Sequence, residues 1–139
     1  MQFTVRDWML DLVVFIDPDM PVVEALAIMR RRYLDSLIVN KTADNPEYGI
    51  ITSIDICDKV VAPEKDPTKV KVREIMNSPL ITVNPKMKLQ DCSKIMREHH
   101  IHHLPVADDN GKVIGLISAN DFLVAAEAMA FPPGERKLS

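Results

Sequence analysis

Two short stretches of this chain place a hydroxyl and a carboxylate at the same spacing behind a glycine. Residues 49–55 read GIITSID and residues 115–121 read GLISAND. In each, an apolar run ends at Thr52 or Ser118, and an acid follows three residues later. This pattern predicts a strand that turns into a helix, and the first turn of a helix presents free N–H groups and a positive dipole end. A turn with these groups could bind an anion or a sugar diol.

The spacing supports two interpretations, and the sequence leaves both open. In the structural one, Thr52 with Asp55 and Ser118 with Asp121 are capping boxes, whose side chains bond the backbone N–H groups of the first turn. In the functional one, the hydroxyl donates a hydrogen bond to a phosphate oxygen. The acid then accepts hydrogen bonds from ribose hydroxyls, as an acid does in dinucleotide-binding folds.

A cluster of imidazoles offers a second set of polar groups, at His99, His100, His102 and His103. Neighbouring residues on a helix or strand point apart, and no acid or cysteine at ligand spacing accompanies them, so we expect no metal site. Two interpretations remain open. The histidines either lie exposed near a helix C-terminus, where cations are favoured, or His102 and His103 contact a phosphate.

Bulk composition excludes several classes of function. The 139 residues are 47% apolar, enough for one domain with one core, and the net charge of -3 argues against general binding to nucleic acid or to an anionic membrane. No apolar run approaches a membrane span, and the first ten residues do not resemble a secretory signal. We therefore expect a cytoplasmic protein. Cys57 and Cys92 belong to no CxxC motif, and we expect both to be buried thiols.

The second half of the chain repeats the first at an offset of 67 residues, the distance from Val5 to Val72. VRDWM at residues 5–9 aligns with VREIM at residues 72–76, and IMR at residues 28–30 aligns with IMR at residues 95–97. After a slip of one residue, the two glycine motifs also align. Two copies of about 60 residues are too few and too long for a solenoid, so we expect one domain built of two like halves.

Each half reads as strand, helix, strand, strand and helix after a short helical opening, which predicts an α/β or α+β fold. In the first half, Val22, Ala25, Leu26, Met29 and Tyr33 form the apolar face of the first long helix. We expect strands at 13–17, 36–40, 49–52, 80–83, 103–107 and 113–117. The predicted boundaries are repeat 1 at 5–62, a linker at 63–71, repeat 2 at 72–130 and a flexible tail at 131–139.

The order of these motifs, occurring twice, resembles that of a CBS domain, and the chain from residue 5 to about 128 resembles a tandem CBS pair, or Bateman module. The likeness is carried in the second half by VREIM at 72–76, ITVNP at 81–85, HLPV at 103–106 and GLISAND at 115–121. The resemblance implies a βαββα unit for each repeat. It also implies that the two units pack about a pseudo-twofold axis, with a cleft for each repeat. Because the sequence shows no general base pair, nucleophile arrangement or metal set, we do not expect an enzyme.

The resemblance further implies that the clefts bind an adenine nucleotide such as AMP, ADP or ATP, or less typically NAD or S-adenosylmethionine. The motif acid would contact ribose, its Thr or Ser would contact phosphate, and the residue after the glycine would lie against the base. The segment entering the first strand and the histidines would add further contacts. The ligand-binding residues implied in this way are Ile50, Thr52, Asp55, Ser78, Ile81, His102, His103, Leu116, Ser118 and Asp121.

The two halves differ where the ligand phosphate would lie. Asp35 and Ser36 occupy the places of His102 and His103, and an acid there would repel a phosphate. The favoured function is a regulatory module that binds a nucleotide and signals to a protein partner. The alternative is a structural or protein-interaction module with degenerate or empty clefts. We also expect a homodimer formed through apolar helix faces at Ile54, Ile56, Val60, Phe122 and Ala126.

Overall fold

A computed structural model describes residues 3–131 of the chain. The elements in chain order are α1 (Val5–Trp8), β1 (Phe15–Ile16), α2 (Val22–Arg32), β2 (Ser36–Val39), β3 (Gly49–Thr52), α3 (Ser53–Ile56) with a π-helical continuation (Cys57–Val61), α4 (Val72–Ile75), α5 (Leu89–His99), β4 (His103–Ala107), β5 (Val113–Ser118) and α6 (Ala119–Ala130). The predicted mixed α/β class is confirmed. No helix among the described residues has the length and apolarity needed to cross a bilayer. The predicted tail beyond Phe131 lies outside the described residues.

The described residues form two compact units, and these units do not follow the sequence repeats. One unit comprises residues 13–80, and the other combines residues 3–12 with residues 81–131. Each unit therefore contains the strands and long helices of one repeat together with the opening helix of the other repeat. The boundaries predicted above follow the repeat, whereas the chain exchanges its opening segments between units.

In the unit of residues 13–80, a three-stranded sheet is covered by α2. β1 runs parallel to β2, and β2 runs antiparallel to β3. The apolar positions of α2 recur at helical spacing, so Val22, Ala25 and Met29 are buried against the sheet. Tyr33, which we expected on this face, is instead 96% exposed. It takes a left-handed conformation (φ 54°) that ends α2 and turns its side chain away from the helix face.

In the other unit, β4 and β5 form an antiparallel hairpin covered by α5 and α6. The strand predicted at 80–83 does not form, and Val83 makes one isolated bridge to Val106. The first unit shows why. There, the Ile38 N–H donates to the Val14 carbonyl at 3.0 Å and helps hold β1 on β2. The repeat offset places Pro105 at the position of Ile38, and a proline has no N–H to donate.

The two cysteines differ in environment. Cys92 is fully buried in the core beneath α5, and this burial raises the pKa of its thiol to about 11. Cys57 is exposed at the start of the π-helical turn, so the expectation that both thiols are buried is wrong for Cys57. Val60, expected on a free apolar face, is 2% exposed and belongs to the core.

Candidate ligand site

The second glycine motif lies where β5 becomes α6. Ser118 is the N-cap of α6, and Asp121 Oδ2 accepts hydrogen bonds from the Ser118 N–H at 2.7 Å and from the Ser118 hydroxyl at 3.3 Å. This arrangement agrees with the capping interpretation. Within the described part of the chain, the Asp121 carboxylate makes no other hydrogen bond or ion pair, so its Oδ1 keeps its acceptor capacity. The carboxylate is half-buried at the positive end of a helix of 12 residues.

The pairing of β4 with β5 brings the histidine segment next to this motif. His103 stands directly opposite Ser118 in the β4–β5 pairing, so their side chains lie on the same face of the hairpin. The His102 carbonyl accepts the Ala119 N–H at 2.9 Å. The pairing therefore places the backbone of both histidines within one residue of the helix N-terminus.

The opening segment of the chain supplies an apolar neighbour to this motif. Leu10 pairs with Leu116 through two backbone hydrogen bonds of 2.8 and 2.9 Å. Gly115 makes the approach possible, because a Cβ at this position would lie 2.9 Å from the Leu10 carbonyl oxygen. Leu10 is 46% exposed and Leu116 is half-buried, so the two leucines leave apolar surface next to the polar turn.

The first glycine motif has the same backbone and a different environment. Asp55 Oδ2 accepts hydrogen bonds from the Thr52 N–H at 2.9 Å and from the Thr52 hydroxyl at 3.0 Å. Thr52 Oγ in turn accepts the Asp55 N–H at 3.3 Å, which completes a capping box. The capping interpretation is therefore confirmed for this motif. Asp55 is only 7% exposed.

Two further side chains bind the Asp55 carboxylate. The Asn77 amide lies 3.1 Å from both carboxylate oxygens, and Lys59 Nζ lies 3.0 Å from Oδ1. Lys59 also donates to the Ile75 carbonyl at 2.8 Å and to Asn77 Oδ1 at 3.4 Å. Asp55 is thus the buried centre of a network that ties α3 to the exposed segment after α4.

The remaining predicted site residues are divided between the two units. Ile50 pairs with Asn77 through two backbone hydrogen bonds of 2.9 Å, and the Ser78 hydroxyl donates to the Tyr48 carbonyl at 2.9 Å. Ser78 therefore lies beside the first motif, whereas Ile81 belongs to the other unit and is 40% exposed. One group thus comprises Ile50, Thr52, Asp55 and Ser78. The other comprises His102, His103, Leu116, Ser118 and Asp121.

The rest of the histidine cluster does not join this site. His99 ends α5, and His100 follows it in a left-handed conformation (φ 53°) with an exposed side chain. No group of three or more His, Cys, Asp or Glu side chains among the described residues is arranged to hold a metal ion.

Sequence reasoning missed three residues that shape the two motifs: Lys59, Asn77 and Leu10. Lys59 had a local signal, because it follows Asp55 by four residues, a spacing at which opposite charges pair on a helix. Asn77 and Leu10 lie at corresponding places in the two opening segments. Their roles follow from the exchange of those segments between units, and the repeat alignment alone does not reveal that exchange.

Two α/β repeats, each with a capped acid at a strand-to-helix turn, define a tandem-repeat module. The CBS domain family model matches residues 5–62 and 72–128. The chain therefore belongs to the CBS domain family, and the resemblance inferred from its motifs is confirmed.

Two known proteins are similar to this chain over most of its length. An uncharacterised protein of Methanopyrus kandleri is 39% identical over 106 residues, which cover 76% of this chain and 54% of that protein, so the chain spans about half the length of this relative. A hexameric CBS-CP12 protein from bloom-forming cyanobacteria is 30% identical with a TM-score of 0.86, over 99% of this chain and 78% of that one.

A CBS domain pair solved in complex with 5′-methylthioadenosine and S-adenosyl-L-methionine is similar to this chain in fold. It has a TM-score of 0.77 at 24% identity, and the match covers 89% of this chain and 99% of that one.

Proposed function

We propose that the chain is a regulatory module that binds an adenine nucleotide at the second glycine motif and signals to a protein partner. The observation that carries this proposal is the open Oδ1 of Asp121. A ribose diol needs a fixed acceptor, and this oxygen is held by the capping box at the start of α6 with no other partner among the described residues.

The neighbouring groups support a nucleotide over a simple sugar. Leu10 and Leu116 offer apolar surface for a base beside the polar turn. Ser118 and the His102–His103 pair lie at the helix N-terminus, where a phosphate is favoured. The CBS pair crystallised with two adenosine compounds supports this class of ligand. The candidates are AMP, ADP, ATP and, with less support, NAD and S-adenosylmethionine.

Signalling would follow from ligand binding by population shift. A nucleotide that binds one state of the module better than another shifts the population toward that state, and a partner that distinguishes the states reads the change. The partner would be a protein, and neither nucleic acid nor membrane is proposed as a partner. No part of this proposal requires catalysis.

A thermal-shift panel with AMP, ADP, ATP, NAD and S-adenosylmethionine tests the proposal. A ligand that binds only the folded protein at 100 times its dissociation constant adds about 2.7 kcal/mol to stability. We expect one of these compounds to raise the melting temperature of the wild type and to raise that of Asp121→Ala by much less. A His102→Ala/His103→Ala variant should lose affinity for ATP more than for adenosine. If no compound stabilises the wild type, the nucleotide proposal fails.

A second candidate is a protein-interaction module without a ligand. The saturated carboxylate of Asp55 favours it, since one of the two motifs serves the fold alone. The α6 surface also favours it, because Leu123 is 70% exposed, Met129 is 66% exposed, and a cavity of about 320 Å³ lies between α5 and α6.

We expect a homodimer through the α6 face under both candidate functions. The hexameric CBS-CP12 neighbour supports self-association in general, without fixing a dimer for this chain. Light scattering at micromolar concentration should give twice the monomer mass of 15.7 kDa. Leu123→Glu should reduce that mass to the monomer value, whereas Leu12→Glu, at a 54% exposed leucine outside the expected dimer faces, should leave the mass unchanged. A wild-type monomer mass would exclude the dimer.

A further inference from the structure

Lys59 is the clearest difference between the two glycine motifs. Its ammonium group has three donors, and all three are used on Asp55, Asn77 and the Ile75 carbonyl. We infer that Lys59 and Asn77 close the first motif to ligands, so that each chain binds nucleotide through the second motif alone. This inference rests on the proposed function and deepens it, because it assigns the number of sites and the residues that set that number.

Counting acceptors shows how the first motif is closed. An ionised carboxylate offers about four lone-pair sites. Four donor groups already reach the Asp55 oxygens: the Thr52 N–H, the Thr52 hydroxyl, the Asn77 amide and the Lys59 ammonium. A ribose hydroxyl can therefore reach this carboxylate only by displacing one of them.

Displacing one of these four donors is unfavourable when the incoming donor is a neutral ribose hydroxyl. The contact between Lys59 and Asp55 joins opposite charges at 3.0 Å, and the carboxylate is 7% exposed. Charge-assisted hydrogen bonds of this kind are stronger than those from neutral donors. A ribose hydroxyl would replace a charged donor by a neutral one and would leave the Lys59 ammonium short of an acceptor.

The second motif shows what the open form requires. Asp121 lies 66 residues after Asp55, so position 125 corresponds to Lys59, and it holds a buried alanine. Leu10 pairs with Leu116 as Asn77 pairs with Ile50, so a leucine stands where the first motif has its amide. The chain therefore contains both a closed and an open form of one turn, and two residues distinguish them.

Replacing Lys59 and Asn77 with the residues at the corresponding places of the second motif tests the inference. Binding is measured by titration calorimetry with AMP, ATP and S-adenosyl-L-methionine, each used separately. The wild type should bind one nucleotide per chain, and Lys59→Ala/Asn77→Leu should bind two. In an Asp121→Ala background, where the wild-type site is weakened by roughly 10-fold to 100-fold, the same pair of substitutions should add one tighter site. Lys65→Ala, an exposed lysine of the same unit, should leave the stoichiometry unchanged.

Folding is checked for every variant by a cooperative thermal melt. If the double variant does not fold, Lys59→Met keeps the apolar stem, removes the ammonium and should also add a site. A wild type that already binds two nucleotides, or folded variants that gain none with any of the three probes, would overturn the inference. If the folded variants gain no site but the wild type still binds nucleotide in a way that depends on Asp121, the proposed function remains supported. A variant that gains a site while the wild type binds nothing would support closure of the first motif by Lys59 and Asn77, but it would overturn both the single open site at the second motif and the proposed function.

Discussion

The two strand-to-helix turns share a motif and a backbone, yet their carboxylates face different chemistry. The Asp55 carboxylate is bound by Thr52, Asn77 and Lys59, whereas the Asp121 carboxylate accepts hydrogen bonds from Ser118 alone among the described residues. The difference comes from residues outside the motif, one a turn further along the helix and one in an opening segment exchanged between units. A matching motif therefore predicts the fold of the turn but not whether its acid is available to a ligand.

Removing each acid in turn should separate the two roles by stability. Asp55→Ala leaves Lys59 and Asn77 without their main acceptor, and we expect the free energy of unfolding to fall by about 3 kcal/mol, since Lys59 is part-exposed and solvent offsets some of the loss. Asp121→Ala removes only a cap and should cost about 1 kcal/mol. Urea denaturation of both variants without ligand measures the difference. Equal losses would show that Asp55 is no more than a cap.

Nucleotide affinity should show the opposite ranking. Asp121→Ala removes hydrogen bonds from ribose to a charged acceptor, which are worth about 1.5 to 3 kcal/mol, or roughly 10-fold to 100-fold in dissociation constant. Asp55→Ala should change the affinity of the folded protein by less than about twofold, because its carboxylate has no free acceptor site to offer. Calorimetry below the melting temperature of each variant decides this. A larger loss for Asp55→Ala would reverse our assignment of the open motif.

Much of the fold could be predicted because its signals are local. The helix-period apolar positions predicted α2 closely, and the strands expected at 103–107 and 113–117 form β4 and β5. The absence of the strand expected at 80–83 could not be predicted from the residues of that segment. This absence depends on Pro105, which lies in a neighbouring strand and lacks the N–H that the pairing needs.

The site was less predictable, because its decisive contacts join distant parts of the chain. The two glycine motifs identified Asp55 and Asp121 equally as candidate ligand-binding residues. What separates them is the approach of Asn77 and of Leu10, and each comes from an opening segment that packs with the repeat to which it does not belong in sequence. An alignment of the two halves assigns each opening segment to its own repeat and so hides this exchange.

The motif glycines provide a third comparison of the two turns. A Cβ at position 115 would lie 2.9 Å from the Leu10 carbonyl oxygen, which is backbone, whereas one at position 49 would lie 2.7 Å from the Met76 sulfur, the end of a flexible side chain. We expect Gly115→Ala to cost about 2 kcal/mol in stability, because strand backbone must shift. Gly49→Ala should cost about half as much, because the thioether can rotate away. Thermal melts of both variants test the ranking, and an equal cost would show that the Asn77 carbonyl, 3.2 Å away, also resists the methyl group.

Ser36 provides the smallest of these tests and has an unusual expected sign. It lies opposite Thr52 in the β2–β3 pairing, where the second unit has His103 opposite Ser118. Ser36 is 5% exposed, and its hydroxyl has no hydrogen-bond partner among the described residues. An unpaired buried hydroxyl is destabilising, so Ser36→Ala should raise the free energy of unfolding by up to about 1 kcal/mol while preserving the packing of the Cβ.

Denaturation of Ser36→Ala beside Ser53→Ala, an exposed serine of the same unit, measures this gain. A gain in stability confined to Ser36→Ala would show that the strand position opposite Thr52 holds a hydroxyl that does not stabilise the fold. The position opposite the second motif would then be the one adapted to a ligand, in agreement with the open carboxylate of Asp121. A loss of stability would instead place the Ser36 hydroxyl in the polar network around Asp55, and the first motif would be more tightly closed than its four donors already make it.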